Sequence, residues 1–354
     1  MRLAKLRQSL SDQGLEALLI SQPENRRYLS GFTGSAGWLL ISAERSILAT
    51  DFRYYEQVER EAPTFELAKI KTTFSQLLPD LLAGAGVRRL GFESQHVTVD
   101  ELDTWRQATE GVEWVPCKGL VEALRAVKEE DEIKALRRSV ALTDAAFAHL
   151  TEVIRPGMTE QQAAWEIESY MRSHGASKVA FDLIVAAGPN GALPHARAGE
   201  HILQPGEPIV VDIGCMVDGY CSDMTRTFCL GEPGPRYMAV WELVLRAQEA
   251  AKAVIRAGIP AVEVDGAARS VIAQAGYGEY FGHGLGHGVG LAVHESPKAS
   301  PLSDDVLRSG MSLTVEPGIY LPGEFGVRIE DLVIVREEGG ETLTNTPKTP
   351  ALNI

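Results

Sequence analysis

The sequence predicts an α/β domain over residues 1–123 followed by an α+β domain over 124–354 built from two similar halves. Three observations carry this. Short β-like runs alternate with helical stretches up to about residue 120; a long amphipathic helix then changes the character of the chain; and the part beyond it contains an internal echo.

In the first domain, "MRLAKLRQSLSDQG" reads as an amphipathic helix, "EALLISQ", "GWLLISA", "SILATDF" and "RRLGFES" as strands, and "TTFSQLLPDLLAGAG" as a helix. The second domain opens with "LRAVKEEDEIKALRRSVALTDAAFAHLTEVIRPGM", a helix whose acidic start suits the positive end of its dipole and which stops at Pro156-Gly157. The echo pairs "VIRPGMTEQQAAWEIESYMRSHGA" (153–176) with "VIRAGIPAVEVDGAARSVIAQAGY" (254–277). Both carry Val-Ile-Arg, a glycine at the turn, a second helix and a closing glycine, and both precede β-rich sequence. Two helix-helix-hairpin halves related by a pseudo-twofold are expected.

A net charge of -14 argues against nucleic-acid binding, which needs a basic face to displace counterions. No apolar run is long enough to cross a bilayer, and the N-terminus lacks the apolar core of a signal peptide. Cys117, Cys215, Cys221 and Cys229 show no C-x-x-C spacing and read as buried free thiols of a cytoplasmic protein.

The chemistry lies in two hairpins. Asp218-Gly219 is a strong two-residue turn signal, and it places Asp223 opposite Gly214. Gly214 shares a face with Asp212 by strand alternation, so the two aspartates project together. A second turn centred on Gly323 sets Glu316 opposite Glu330. Four carboxylates in apolar sequence would then converge on the pseudo-axis, where mutual repulsion demands cations. Their charge matches two divalent ions, and one imidazole from "HGLGHGVGLAVHE" (283–295) could complete the set. Oxygen donors with a single nitrogen suit Mn(II), Co(II) or Fe(II), and Zn(II) also fits.

The stretches "IVVDIGCMVDGYCSDMTRTF", "HGLGHGVGLAVHE", "TVEPGIY" and "GVRIEDLVIV" resemble the successive motifs of the Xaa-Pro peptidases, the family of aminopeptidase P and prolidase. "YLSGFTGSAGWLLIS" and "TDFRYYEQ" resemble that family's N-terminal domain. The resemblance implies the pita-bread fold with its internal pseudo-twofold for the second domain. It also implies that Asp212 binds one metal, that Asp223 and Glu330 bridge two, and that His287 and Glu316 bind the other. His195, His283 and His294 fall on positions that line the family's substrate site, whereas His96, His149, His174 and His201 do not.

Arg328 shares a face with Glu330 and is expected to hold the carboxylates by charge-assisted hydrogen bonds. The glycines of 284–290 are expected to let a substrate backbone approach the metals. Glu316 is the candidate to carry the proton from the attacking water to the leaving nitrogen, and His294 the candidate to stabilise the oxyanion. The implied substrates are proline-containing peptides, and the implied assembly is a homodimer.

Two other readings of the residues are weaker. A two-metal phosphoesterase lacks a phosphate-cradling loop, and a non-catalytic peptide-binding module would not need the intact ligand set. Methionine aminopeptidase shares the ligands but not the N-terminal domain. A dipeptidase would need a basic residue to hold the terminal carboxylate. Lys298 and Arg308 lie in the right segment, but no motif fixes either, so the compact chain favours Xaa-Pro aminopeptidase action with dipeptidase as the alternative.

Overall fold

The apolar runs Ala17–Ile20 (β1), Trp38–Ser42 (β2) and Ser46–Thr50 (β3) pair as antiparallel neighbours. Glu66–Lys69 (β4) joins β3 in parallel, while Arg89–Glu93 (β5) and Glu113–Cys117 (β6) extend the other side in parallel, giving the order β4-β3-β2-β1-β5-β6. This is a computed structural model describing residues 2–353, and the chain divides in it into one unit that ends at Arg125 and another that begins at Ala126. β4 and β6 have no counterpart in the sequence reading, because neither shows a continuous apolar run. The helix Phe74–Ala85 tolerates Pro79, and Thr73 caps its start by accepting from the Gln76 amide.

In the second unit the helices repeat as the echo anticipates. Glu130–Val153 and Glu160–Ser173 form the first pair, Pro235–Val254 and Ala261–Gln274 the second. The first long helix stops at Val153 because the residue before Pro156 is steered out of helical geometry. Thr159 starts the next helix with a capping box to Gln162. No helix among the described residues is long and apolar enough to cross a membrane.

The β-rich segments follow the expected registers. Asp218 and Gly219 both adopt positive φ, 52° and 86°, the geometry of a type I′ turn. The strands Pro208–Ile213 and Met224–Leu230 then pair with Asp212 opposite Thr225. In the second half Gly318 pairs with Arg328 and Val315 with Asp331, so Glu316 and Glu330 sit at facing bends of one continuous register. Buried Gln248, on the helix Pro235–Val254, donates to the carbonyls of Val315 and Ile329 at 3.0 and 3.1 Å and so pins both bends.

The glycines of 284–290 are required by the protein's own packing, a reason for them separate from the expected approach of a substrate. A Cβ on Gly286 would lie 1.9 Å from the Thr314 carbonyl oxygen, and one on Gly288 2.3 Å from that of Ser296. The strand Gly286–Gly288 is thereby pressed against Ser312–Val315 and Glu295–Ala299. Gly286→Ala should lower the unfolding free energy by at least about 3 kcal/mol, since a main-chain carbonyl cannot step aside. Gly266→Ala, in open space on a helix, should raise it by about 0.5–1 kcal/mol. Urea unfolding checks both, and a loss below about 1 kcal/mol for Gly286→Ala would contradict the packing account.

Candidate active site

Each half contributes two acids to one floor. Asp212 lies within the strand Pro208–Ile213 and Asp223 just ahead of Met224–Leu230; Glu316 and Glu330 occupy the two bends of the second half. The halves are stitched together there. The Glu330 amide donates to the Thr225 carbonyl at 3.0 Å, and the Thr225 hydroxyl donates to Glu330 Oε2 at 2.7 Å.

Oxygens of Asp212, Asp223 and Glu330 all come within 4.8 Å of one another. His287 Nε2 stands 3.4 Å from Glu316 Oε1 and 3.7 Å from Asp223 Oδ2. Burial, followed by the charges of Glu330 and Asp212, pushes Asp223 well above the usual carboxylate range. Burial, then Glu316 and Asp212, does the same to Glu330. Burial pushes Glu316 up to about 7, with Arg328 pulling the other way.

These residues fit a divalent metal centre. Asp212 Oδ1 and Glu330 Oε1 are buried without a hydrogen-bond partner, an arrangement that costs about 1–3 kcal/mol per atom unless something else satisfies it. A cation would do so and would also cancel the repulsion. The His287 ring is oriented to join it. Its Nδ1 lies 3.1 Å from the Gly288 carbonyl oxygen, which fixes the tautomer that leaves Nε2 free to ligate. The His287 amide is held by Thr314 Oγ1 at 2.9 Å.

Arg328 is buried and reaches four places. It donates to Asp212 Oδ2 at 2.6 Å, the Tyr320 hydroxyl at 2.7 Å, Thr225 Oγ1 at 3.1 Å and the Pro194 carbonyl at 3.3 Å. Tyr320 lies 3.0 Å from His283 Nε2, whose Nδ1 faces the Gly284 carbonyl at 2.8 Å. Burial pulls the His283 pKa down to about 4, so the ring is neutral near pH 7. With Nδ1 donating to Gly284, Nε2 accepts from Tyr320, and both nitrogens are engaged by the protein.

His195, His283, His287 and His294 all border a cavity of about 630 Å³, together with the four acids, Tyr320 and Arg328. Lys298 and Arg197 also line it; Arg308 does not. His294 is exposed to the cavity, its ring 4.3 Å from that of His287, and burial together with His287 lowers its pKa. His96, His149, His174 and His201 lie outside this wall. His201 pairs with Glu207 at 2.9 Å, and His149 and His174 stack on Tyr170.

Three contributors escape the sequence reading. Alternation from Glu316 through Gly318 puts Tyr320 on the acids' face, which is its sequence signal. Thr225 and Glu160 carry no comparable signal. Fully buried Glu160 accepts from the Ala187 and Gly199 amides at 2.8 and 2.9 Å and from Asn190 Nδ2, fastening both ends of the loop that carries His195.

A crowded floor of buried acids with one imidazole, set at the junction of two helix-helix-hairpin halves, defines a metallohydrolase. The model of metallopeptidase family M24 matches residues 134–337, and that of the Creatinase/Prolidase N-terminal domain matches residues 2–127. The chain belongs to metallopeptidase family M24, with the pita-bread fold of that family in its second unit. It is 36% identical to an Xaa-Pro dipeptidase of Pyrococcus horikoshii over 98% of this chain and 97% of that one. Among solved structures, an Xaa-Pro dipeptidase from Bacillus anthracis matches with a TM-score of 0.97 and 41% identity, covering 99% of this chain and 98% of the other. An X-Pro aminopeptidase from Thermotoga maritima matches with a TM-score of 0.90 and 38% identity, covering 96% and 98%.

Within 283–295, His287 lies against Glu316 and Asp223 while His294 is exposed, so the two are expected to respond differently to removal. His287→Ala should lose metal and activity together. His294→Ala should retain most of its metal and lose roughly 10²-fold in kcat, the scale of one lost oxyanion donor. Metal analysis of the two purified variants is the check, and the reverse pattern would exchange the two assignments.

Proposed function

We propose that the chain is a cytoplasmic, homodimeric Xaa-Pro peptidase that uses two divalent ions, Mn(II) or Co(II) by preference, and that dipeptides are its main substrates. The observation that carries the metal reading is the pair of buried, partnerless carboxylate oxygens on Asp212 and Glu330. Asp212, Asp223, His287, Glu316 and Glu330 would hold the ions. Bound there, such ions lower the pKa of water and polarise a peptide carbonyl.

The protein's own groups do the rest. Glu316 stands beside His287, held by a 3.0 Å hydrogen bond from Thr314 Oγ1, and takes the proton from the attacking water and delivers it to the prolyl nitrogen. His294, at the cavity face, donates to the developing oxyanion. His195 sits on a loop anchored by Glu160 and borders the substrate. Arg328 fixes Asp212 and, through Tyr320, the His283 ring. Four free, buried cysteines fit a reducing compartment.

Proline specificity and the choice of dipeptides draw on the named relatives and on Lys298. An exposed ammonium in the cavity wall can hold the terminal carboxylate of a dipeptide, which a longer peptide does not present at that point. This reverses the preference for aminopeptidase action, which rested on the compact chain and on the lack of any motif fixing Lys298 or Arg308 in the site. The T. maritima relative keeps that action as the second reading.

Chelation should abolish activity, and Mn(II) or Co(II) should restore it with about two ions per chain; full activity in metal-free protein would refute the mechanism. At equal metal loading, kcat/KM should favour Ala-Pro over Ala-Pro-Ala by about tenfold, equivalent to about 1.4 kcal/mol. Lys298→Ala should raise KM for Ala-Pro and erase that preference with little change in kcat. A wild-type preference for the tripeptide would make the enzyme an aminopeptidase.

A further inference from the structure

Beneath the acid floor, on the side away from the cavity, lies a second charged group that the chemistry above does not use. Asp331, its side chain only 2% exposed, receives three cations. Arg226 Nη2 donates to Oδ1 at 2.9 Å, and Lys252 Nζ and Lys348 Nζ both donate to Oδ2 at 2.7 Å. They come from separate parts of the second unit: the strand Met224–Leu230, the helix Pro235–Val254, and the segment following Thr346. Arg226 is also buried. Buried ion clusters are weak contributors to stability, since apolar residues of the same volume do as well or better. What this cluster does supply is a fixed geometry for the residue beside it.

That residue is Glu330. Arg226 Nη1 donates to the Glu330 main-chain carbonyl and, at 2.9 Å, to that of Thr225. The Glu330 amide is held by the Thr225 carbonyl, and its Oε2 by the Thr225 hydroxyl. Both main-chain ends and one carboxylate oxygen are therefore fixed, and only Oε1 is left to face Asp212 and Asp223. Arg226 is oriented in turn by Asp331 and by the Thr346 carbonyl, to which it donates at 2.6 Å. Lys252 and Lys348 hold the other oxygen of Asp331 and keep it from rotating away.

We propose that Arg226, Asp331, Lys252 and Lys348 are positioning residues for Glu330, and that Lys348 thereby lets the segment after Thr346 set the affinity of the metal centre. The inference rests on the reading of Glu330 as a metal ligand. Lys348 is the informative position because it is partly exposed at the rim of the cluster, so its replacement leaves the core packing intact. Lys348→Met keeps the aliphatic stem and removes the charge, and Lys348→Arg restores a cation.

The test is the dissociation constant for Mn(II), measured by calorimetry on the metal-free full chain, alongside the thermal midpoint of the same metal-free protein. Lys348→Met should weaken Mn(II) binding by about 10-fold or more, the range for loss of a group that orients a ligand, with the metal-free midpoint near that of the wild type. Lys348→Arg should recover affinity to within about threefold. Asp331→Asn, where it folds, should lose more than Lys348→Met. Glu330→Gln separates the two levels of the argument. If it abolishes binding while Lys348→Met binds as the wild type does, the bracing role is wrong and the ligand reading stands. If Glu330→Gln itself binds Mn(II) normally, the ligand reading fails and takes the bracing role with it.

Discussion

Asp212, Asp223, Glu316 and Glu330 repel one another in a place where water screens them poorly, and the second unit is arranged around that repulsion. Two like charges 4 Å apart at an effective dielectric of about 20 cost about 4 kcal/mol, comparable with a large part of a domain's net stability. Such a floor persists only if its backbone cannot spread to relieve the strain. Gln248 grips the carbonyls at both bends of the second half, and Thr225 joins the first half to Glu330 through main chain and side chain. The strand carrying His287 is wedged in by glycines that leave no space to retreat. Rigidity here keeps the donor atoms close, which is the condition for a tight divalent centre.

Arg328 works within the same constraint from the other side. A lone guanidinium in a buried site is expensive, but here it meets a carboxylate, a phenol, a hydroxyl and a carbonyl. One side chain therefore ties together the first half through Asp212 and Thr225, the second through Tyr320, and the His195 loop through Pro194. The chain of contacts from Arg328 through Tyr320 to His283 also explains why a histidine on a cavity wall has both nitrogens engaged. Its contribution to the wall is a fixed, neutral ring, whereas His294 presents a ring that the cavity can reach.

The parts of this arrangement legible in the sequence are the local ones. A two-residue Asp-Gly turn sets a register, the register sets a face, and the facing of Asp212 with Asp223 and of Glu316 with Glu330 follows without any tertiary information. The helix pairs repeat because their caps and stops are written in neighbouring residues. What could not be read depends on segments far apart in the chain. The clash that makes Gly286 indispensable is with Thr314, the carboxylate of Glu160 reaches Ala187 and Gly199, and Asp331 collects cations from three elements. Lys298 was visible as a charge, but only the folded cavity wall distinguishes it from Arg308.

The split of the acid floor between two hairpins also bears on the order in which the protein is made. Asp212 and Asp223 leave the ribosome first, and Glu330 follows roughly a hundred residues later, a delay of about 5–20 s at synthesis rates of about 5–20 residues per second. During that interval the early hairpin presents a pair of carboxylates without its partners, a combination that holds a divalent ion only loosely. The full set of four carboxylates therefore exists only once the second hairpin has been made and has folded against the first.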